Sequence, residues 1–119
     1  MNREEFESAI ADAVDSLPEE FLRRLDNVEI MWEDEPQPEM VRRMGGDTLL
    51  GLYEGVPLTE RNQGYSMIMP DRITLYRRPI ERVSRHRGET IRQIRATIIH
   101  EIGHYFGLSE AEIREAMGD

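Results

Sequence analysis

The sequence predicts an α+β domain in which helices come first, three short strands follow, and helices return at the C-terminal end. Three observations carry this. Apolar residues recur at helical spacing near both ends, at Phe6, Ile10, Ala13, Val14 and Leu17 and again at Ile91, Ile94, Ile98 and Ile102. Between them, Val28-Ile30-Trp32 and Ile73-Leu75 alternate with polar residues at period two. Glycines and prolines at Pro36, Pro38, Gly45, Gly46, Gly55, Pro57 and Gly64 punctuate the middle of the chain.

Asn2 is placed to cap a first helix running to about residue 16, and Pro18 suits the first turn of a second helix with Phe21, Leu22 and Leu25 inward. Residues 27–32 read as a strand and 33–46 as a loop. A second strand is expected over 48–53 and a turn-rich connection over 54–65. The third strand is expected over 71–78, ended by Pro79. Gly88-Glu89-Thr90 then opens a long helix to Phe106, with Gly107 where a left-handed residue stops it. Ser109 and Glu112, three apart, form a capping box for a last helix.

The length of 119 residues suits a single domain spanning 1–119. With no cysteine there is neither a disulfide framework nor a thiolate metal site, so any metal must be held by His, Asp or Glu. No run of about 18 apolar residues is present to span a membrane. The acidic start Met1-Asn2-Arg3-Glu4-Glu5-Phe6 lacks the pattern of a secretory signal, so a cytoplasmic location is expected. The net charge of −9 disfavours nucleic acid and anionic membranes as partners. The arginines at 72, 77, 78, 82, 85, 87, 92 and 95 read as solvated faces that pair with the acidic residues of the N-terminal half.

One constellation carries chemistry. On a helix, His100 and His104 lie on one face and can reach a single zinc ion with nitrogens about 2.0–2.1 Å away. Glu101 lies at the edge of that face, too far round to be the natural third ligand but placed to hold and deprotonate a metal-activated water. Thr97 shares this face, while Ile91, Ile94, Ile98, Ile102 and Tyr105 are expected behind it as core. Gly107 lets the chain reverse over the metal, which makes Glu110 the first choice for the third ligand. Asp119, Glu112, His86 and Glu89 are the alternatives.

The stretch from His100 to Glu110, His-Glu-Ile-Gly-His-Tyr-Phe-Gly-Leu-Ser-Glu, resembles the extended zincin pattern HExxHxxGxxH/D. It is similar to the small bacterial zincin-like metallopeptidases, and Leu49-Leu50-Gly51-Leu52-Tyr53-Glu54-Gly55-Val56-Pro57-Leu58-Thr59-Glu60-Arg61 and Pro70-Asp71-Arg72-Ile73-Thr74-Leu75-Tyr76 extend the likeness over most of the chain from Leu49 onward. The resemblance implies a minimal zincin fold: a small twisted mixed sheet packed against an active-site helix and flanking helices, with a cleft between sheet edge and helix. It implies His100, His104 and Glu110 as zinc ligands and Glu101 as the general base of a peptidase. The chain departs from metzincins in holding Glu110 where they have histidine, and Met117 is the only candidate for a Met-turn.

Around this centre, residues 71–78 are the candidate edge strand to pair with an extended peptide or protein substrate, the alternative being an interior strand. Tyr76, Tyr65, Tyr53 and Arg61 could stabilise an oxyanion, though packing or surface positions are the plainer reading. Trp32 is expected in the core, His86 in solvent, and Met67 and Met69 in the core or lining the cleft. The expected function is zinc-dependent peptide hydrolysis. Its alternatives are a zinc-binding interaction or regulatory domain with little or no proteolysis, and an amide hydrolase acting on non-peptide substrates.

Overall fold

The structure is a computed structural model, and it describes residues 1–43, 45, 49–55 and 70–118. Helix α1 (Arg3–Asp15) starts at a capping box in which the Asn2 side chain accepts from the Glu5 amide and the Glu5 side chain accepts from the Asn2 amide. It buries Phe6, Ala9 and Ala13, and Leu17 completes the stripe. Helix α2 (Glu19–Arg24) follows Pro18 and buries Phe21, and a 3₁₀ turn (Leu25–Asn27) leads into strand β1 (Val28–Glu33). In β1, Val28, Ile30 and Trp32 are half-buried while their neighbours face solvent, as period-two alternation requires. Trp32 packs edge-on to Phe6 at 5.4 Å, at the margin of the core rather than within it.

Two segments differ from the sequence expectation. Residues 38–43 form a short helix, α3 (Pro38–Arg43), where a loop is expected. Pro38 stands at its first position, where a missing N–H costs nothing, and Arg42 and Arg43 complement the dipole at its end. Strand β3 (Asp71–Tyr76) stops two residues short of Arg78, and helix α4 (Arg77–Arg82) follows at once. Pro79 does not end the strand. It sits third in α4, within the first turn, where proline is tolerated.

Strand β2 (Gly51–Glu54) completes a mixed sheet of order β1-β3-β2 among the described residues. β1 runs parallel to β3, with Val28 opposite Asp71 and Trp32 opposite Leu75, and β2 runs antiparallel to β3, with Leu52 opposite Thr74. β3 is therefore the interior strand, which corrects the reading of 71–78 as the edge. A strand with neighbours on both sides has no backbone groups left for a substrate. Its burial agrees, since Asp71, Ile73, Thr74, Leu75 and Tyr76 are all buried.

Helix α5 (Arg87–Tyr105) is the spine. Its N-cap is His86, whose Nδ1 accepts from the Glu89 amide at 3.3 Å while the ring stays exposed as expected. Ile94, Ile98, Ile99 and Ile102 are fully buried on it, against α1, β2, β3 and helix α6 (Glu110–Met117). At its end Leu108 donates to the Gly103 carbonyl at 2.8 Å and Gly107 to that of His104 at 3.2 Å, with Gly107 at φ +72°. This is the double hydrogen bond of a Schellman stop, and it turns the chain into the Ser109–Glu112 capping box of α6. Three of the eight middle arginines pair with the acidic half among the described residues: Arg77 meets Asp34 at 2.8 Å, Arg87 meets Asp12 at 2.7 Å, and Arg82 meets Glu35.

Candidate metal centre

The last two turns of α5 present His100, Glu101 and His104 together. The imidazoles of His100 and His104, one turn apart, have ring centroids 5.7 Å apart and planes 18° from parallel. Imidazole nitrogens are donors that zinc accepts, and these two rings on one helix face are the pair that could hold such an ion. His100 is half-buried and His104 exposed, which leaves the pair open on one side.

Glu101 is held separately. Its Oε1 accepts a 2.9 Å hydrogen bond from the backbone amide of Tyr53 in β2, so the carboxylate bridges helix and sheet. Burial raises its pKa above the ordinary carboxylate value, and the Tyr53 amide, His104 and His100 pull it back. A carboxyl so balanced is a candidate proton carrier. In an antiparallel pair, outward-facing amides alternate with ladder amides. Tyr53 therefore points its N–H away from β3, and β2, not β3, is the strand that borders the helix face bearing the histidines.

Glu110 is the first residue of α6 and is exposed. Among the described residues no three His, Cys, Asp or Glu side chains stand close enough to hold a metal ion, so two imidazoles are gathered and Glu110 is not yet beside them. Among the described residues, the alternatives Glu112, Glu89 and His86 are engaged elsewhere. Glu112 accepts from Ser109 in the capping box. Glu89 and His86 sit at the opposite end of α5, where Glu89 accepts from the Arg85 amide. At about 1.5 Å per residue, Glu89 lies roughly 16 Å along the helix from His100. Asp119 lies outside the described residues, as do Tyr65, Arg61, Met67 and Met69.

Tyr105 is a correction. It is not core but 51% exposed, stacked face to face on Tyr53 at 4.1 Å, with Phe106 edge-on to both rings. The spacing carried the signal, since Tyr105 lies one turn after Glu101 and so shares its side of the helix. Tyr53 also donates its hydroxyl to Asp71 at 2.7 Å. Tyr76 is buried, and burial with the negative charge of Glu33, Glu54 and Glu101 keeps its hydroxyl protonated. On the other side of Glu101 a groove of about 350 Å³ runs along α5 past Thr97. Neither the groove nor the backbone clamp from Tyr53 is visible in a motif, because both arise where β2 meets α5.

A helix carrying two histidines and a half-buried glutamate, laid beside a strand of a small mixed sheet, defines a zincin-type architecture. A model of the zincin-like metallopeptidase family matches residues 25–118, and the chain belongs to that family. No curated protein matches it.

Proposed function

We propose that the protein is a zinc-dependent peptidase in which His100, His104 and Glu110 hold the metal and Glu101 is the general base. The observation that carries this is the half-buried Glu101 carboxylate, on the same helix turn as two imidazoles and held by the outward amide of β2. A bound zinc ion would supply Lewis acidity, polarising the scissile carbonyl and acidifying water. Glu101 then accepts a proton from the attacking water at its carboxylate and delivers it to the leaving amide nitrogen. The chain reverses at Gly107, six residues after Glu101, and starts α6 with Glu110, which supports Glu110 as the third ligand once its side chain is turned to the metal.

An extended peptide or protein substrate aligns along the outward side of β2, beside Tyr53, in place of the edge first expected at 71–78. The chain works as one domain over 1–119, away from nucleic acid and membranes, in the cytoplasm. Its charge of −9 supports the first exclusion, and no described helix is long and apolar enough to cross a membrane.

The test is metal content followed by hydrolysis of a peptide library with and without chelator. About one zinc per chain is expected, lost on replacing His100 and His104 by Ala. Glu101→Gln should keep zinc and lower any cleavage by about 10²–10⁴. Full zinc occupancy in the double-histidine variant would overturn the assignment. A second reading, a zinc-binding interaction domain with little proteolysis, is favoured by the exposed Tyr105 and Phe106 beside His104. It takes over if zinc binds and no peptide in the library is cleaved.

A further inference from the structure

Tyr53 makes three contacts, each through a different part of the residue. Its backbone N–H donates to Glu101 Oε1 at 2.9 Å. Its ring stacks on that of Tyr105 at 4.1 Å, one helical turn beyond Glu101. Its hydroxyl donates to the carboxylate of Asp71 at 2.7 Å. We propose that Asp71 is a positioning residue of the site: through the side chain of Tyr53 it fixes the amide that holds Glu101. That Glu101 so held is a general base rests on the peptidase reading above.

Strand geometry explains why a tyrosine can make this link. Tyr53 stands opposite Ile73, and Asp71 lies two residues before Ile73, so the two side chains share a face of the sheet. The diagonal to a neighbour two residues along is about 7–8 Å, within reach of an aromatic side chain. Asp71 is the fixed end of the link. It is 9% exposed and stands opposite Val28 of β1, at the start of the interior strand. A hydrogen bond to a carboxylate is roughly twice as strong as one between neutral groups, so the phenol is held firmly.

Strand β2 is the part that needs holding. It has four residues and is paired on one side only among the described residues. Leu52 and Glu54 carry its ladder to β3, while Tyr53 points its N–H the other way. A small roll of such a strand about its own axis swings the Tyr53 amide relative to α5 while the ladder persists. The phenol anchored at Asp71 opposes that roll from the sheet, and the ring of Tyr105 opposes it from the helix. A Cβ at Gly55 would stand 3.0 Å from Tyr105 Cζ, so that ring also lies directly on the chain just past β2. Whatever moves the amide moves the Glu101 carboxylate, and a misplacement of about 1 Å at a reacting group costs about 10²-fold in rate.

The experiment reads the backbone amide shifts of β2 by NMR in the ¹⁵N-labelled, chelator-treated full chain. It then reads kcat and KM of the zinc-loaded protein on the peptide of the library that is cleaved fastest. Glu101→Ala marks the shift of a Tyr53 amide that has lost its carboxylate. Tyr53→Phe and Asp71→Ala should each move the amide of residue 53 towards that mark, while the amides of Leu52 and Glu54 stay in place. Asp71→Asn keeps a carbonyl that accepts from the phenol and should restore most of the wild-type shift. Where the protein cleaves, Tyr53→Phe and Asp71→Ala should lower kcat by about 10–100-fold with KM and zinc content unchanged, as expected for groups that support a site from behind. Tyr53→Phe keeps the ring and carries the test if Asp71→Ala fails to fold.

An amide of residue 53 that stays in place in Tyr53→Phe, or that does not move even in Glu101→Ala, overturns the positioning role and leaves the peptidase reading intact. So does movement of all the β2 amides together, which marks general support of the fold, or an unchanged kcat. Selective movement of that one amide, restored in Asp71→Asn, with no peptide cleaved by the wild type, upholds the positioning of Glu101 and removes the peptidase reading.

Discussion

Gly103, inside the HExxH motif, is where the helix bearing the histidines touches the helix bearing Glu110, and substituting it isolates that contact. A Cβ at Gly103 would stand 2.7 Å from Ile113 Cγ1 and 2.8 Å from Ile113 Cδ1, and Ile113 is fully buried. Two effects oppose each other in Gly103→Ala. Alanine is favoured over glycine within a helix by about 0.8–1.0 kcal/mol. Forcing a methyl group into a filled core costs about 1–3 kcal/mol. The steric effect wins, for a net loss of about 0–2 kcal/mol. Ile113→Ala alone should cost about 2–5 kcal/mol, through lost burial and a cavity.

In the double variant the added methyl group enters the space that Ile113 vacates, so the steric cost disappears while the helix preference remains. The two changes should then be less destabilising together than their sum by about 1–3 kcal/mol. Urea unfolding of all four proteins with chelator present, followed by circular dichroism, measures this. At roughly 4 °C per kcal/mol for a domain of this size, the coupling is also resolved in thermal melts. Additivity within about 0.5 kcal/mol would show that the α5–α6 contact is not where the structure puts it.

Glu110→Ala should lower zinc affinity by at least about 10-fold, since even groups behind the ligands are worth about 10–100-fold; unchanged affinity in a competition titration would pass the role to Asp119 or to water. Glu112 is held below the ordinary carboxylate range by hydrogen bonds from the Ser109 amide and hydroxyl. A lowered folded pKa contributes stability that is present above the unfolded value and lost as pH falls through the folded one. The stability difference between wild type and Glu112→Gln should thus shrink on acidification below about pH 4, and a difference constant from pH 7 to 3 would remove the capping box as its source. Tyr53→Phe keeps the ring beside Tyr105 but deletes the bond to buried Asp71, and should cost about 1.5–3 kcal/mol in urea unfolding; no change would show that bond to be dispensable.

Sequence alone determined the parts of this protein that are governed by neighbours along the chain. The Asn2 cap, the Ser109–Glu112 capping box, the Gly107 stop and the placement of His100, Glu101 and His104 on one helix depend on contacts three to five residues apart, and each stands where the spacing put it. The limits of local reading show at Pro38 and Pro79, which mark breaks in a pattern and yet sit in the first turns of helices. Tertiary structure decided what depends on order in space. That β3 lies inside the sheet and β2 borders the active helix follows from strand pairing between segments more than 15 residues apart, for which the alternation of side chains holds no signal. The amide that clamps Glu101 belongs to Tyr53, 48 residues away, and donates from a backbone atom that every residue but proline possesses. Side-chain identity names the histidines and the glutamate. Only the packing of β2 onto α5 at Gly51 and Thr97 brings the strand, the carboxylate and the groove together.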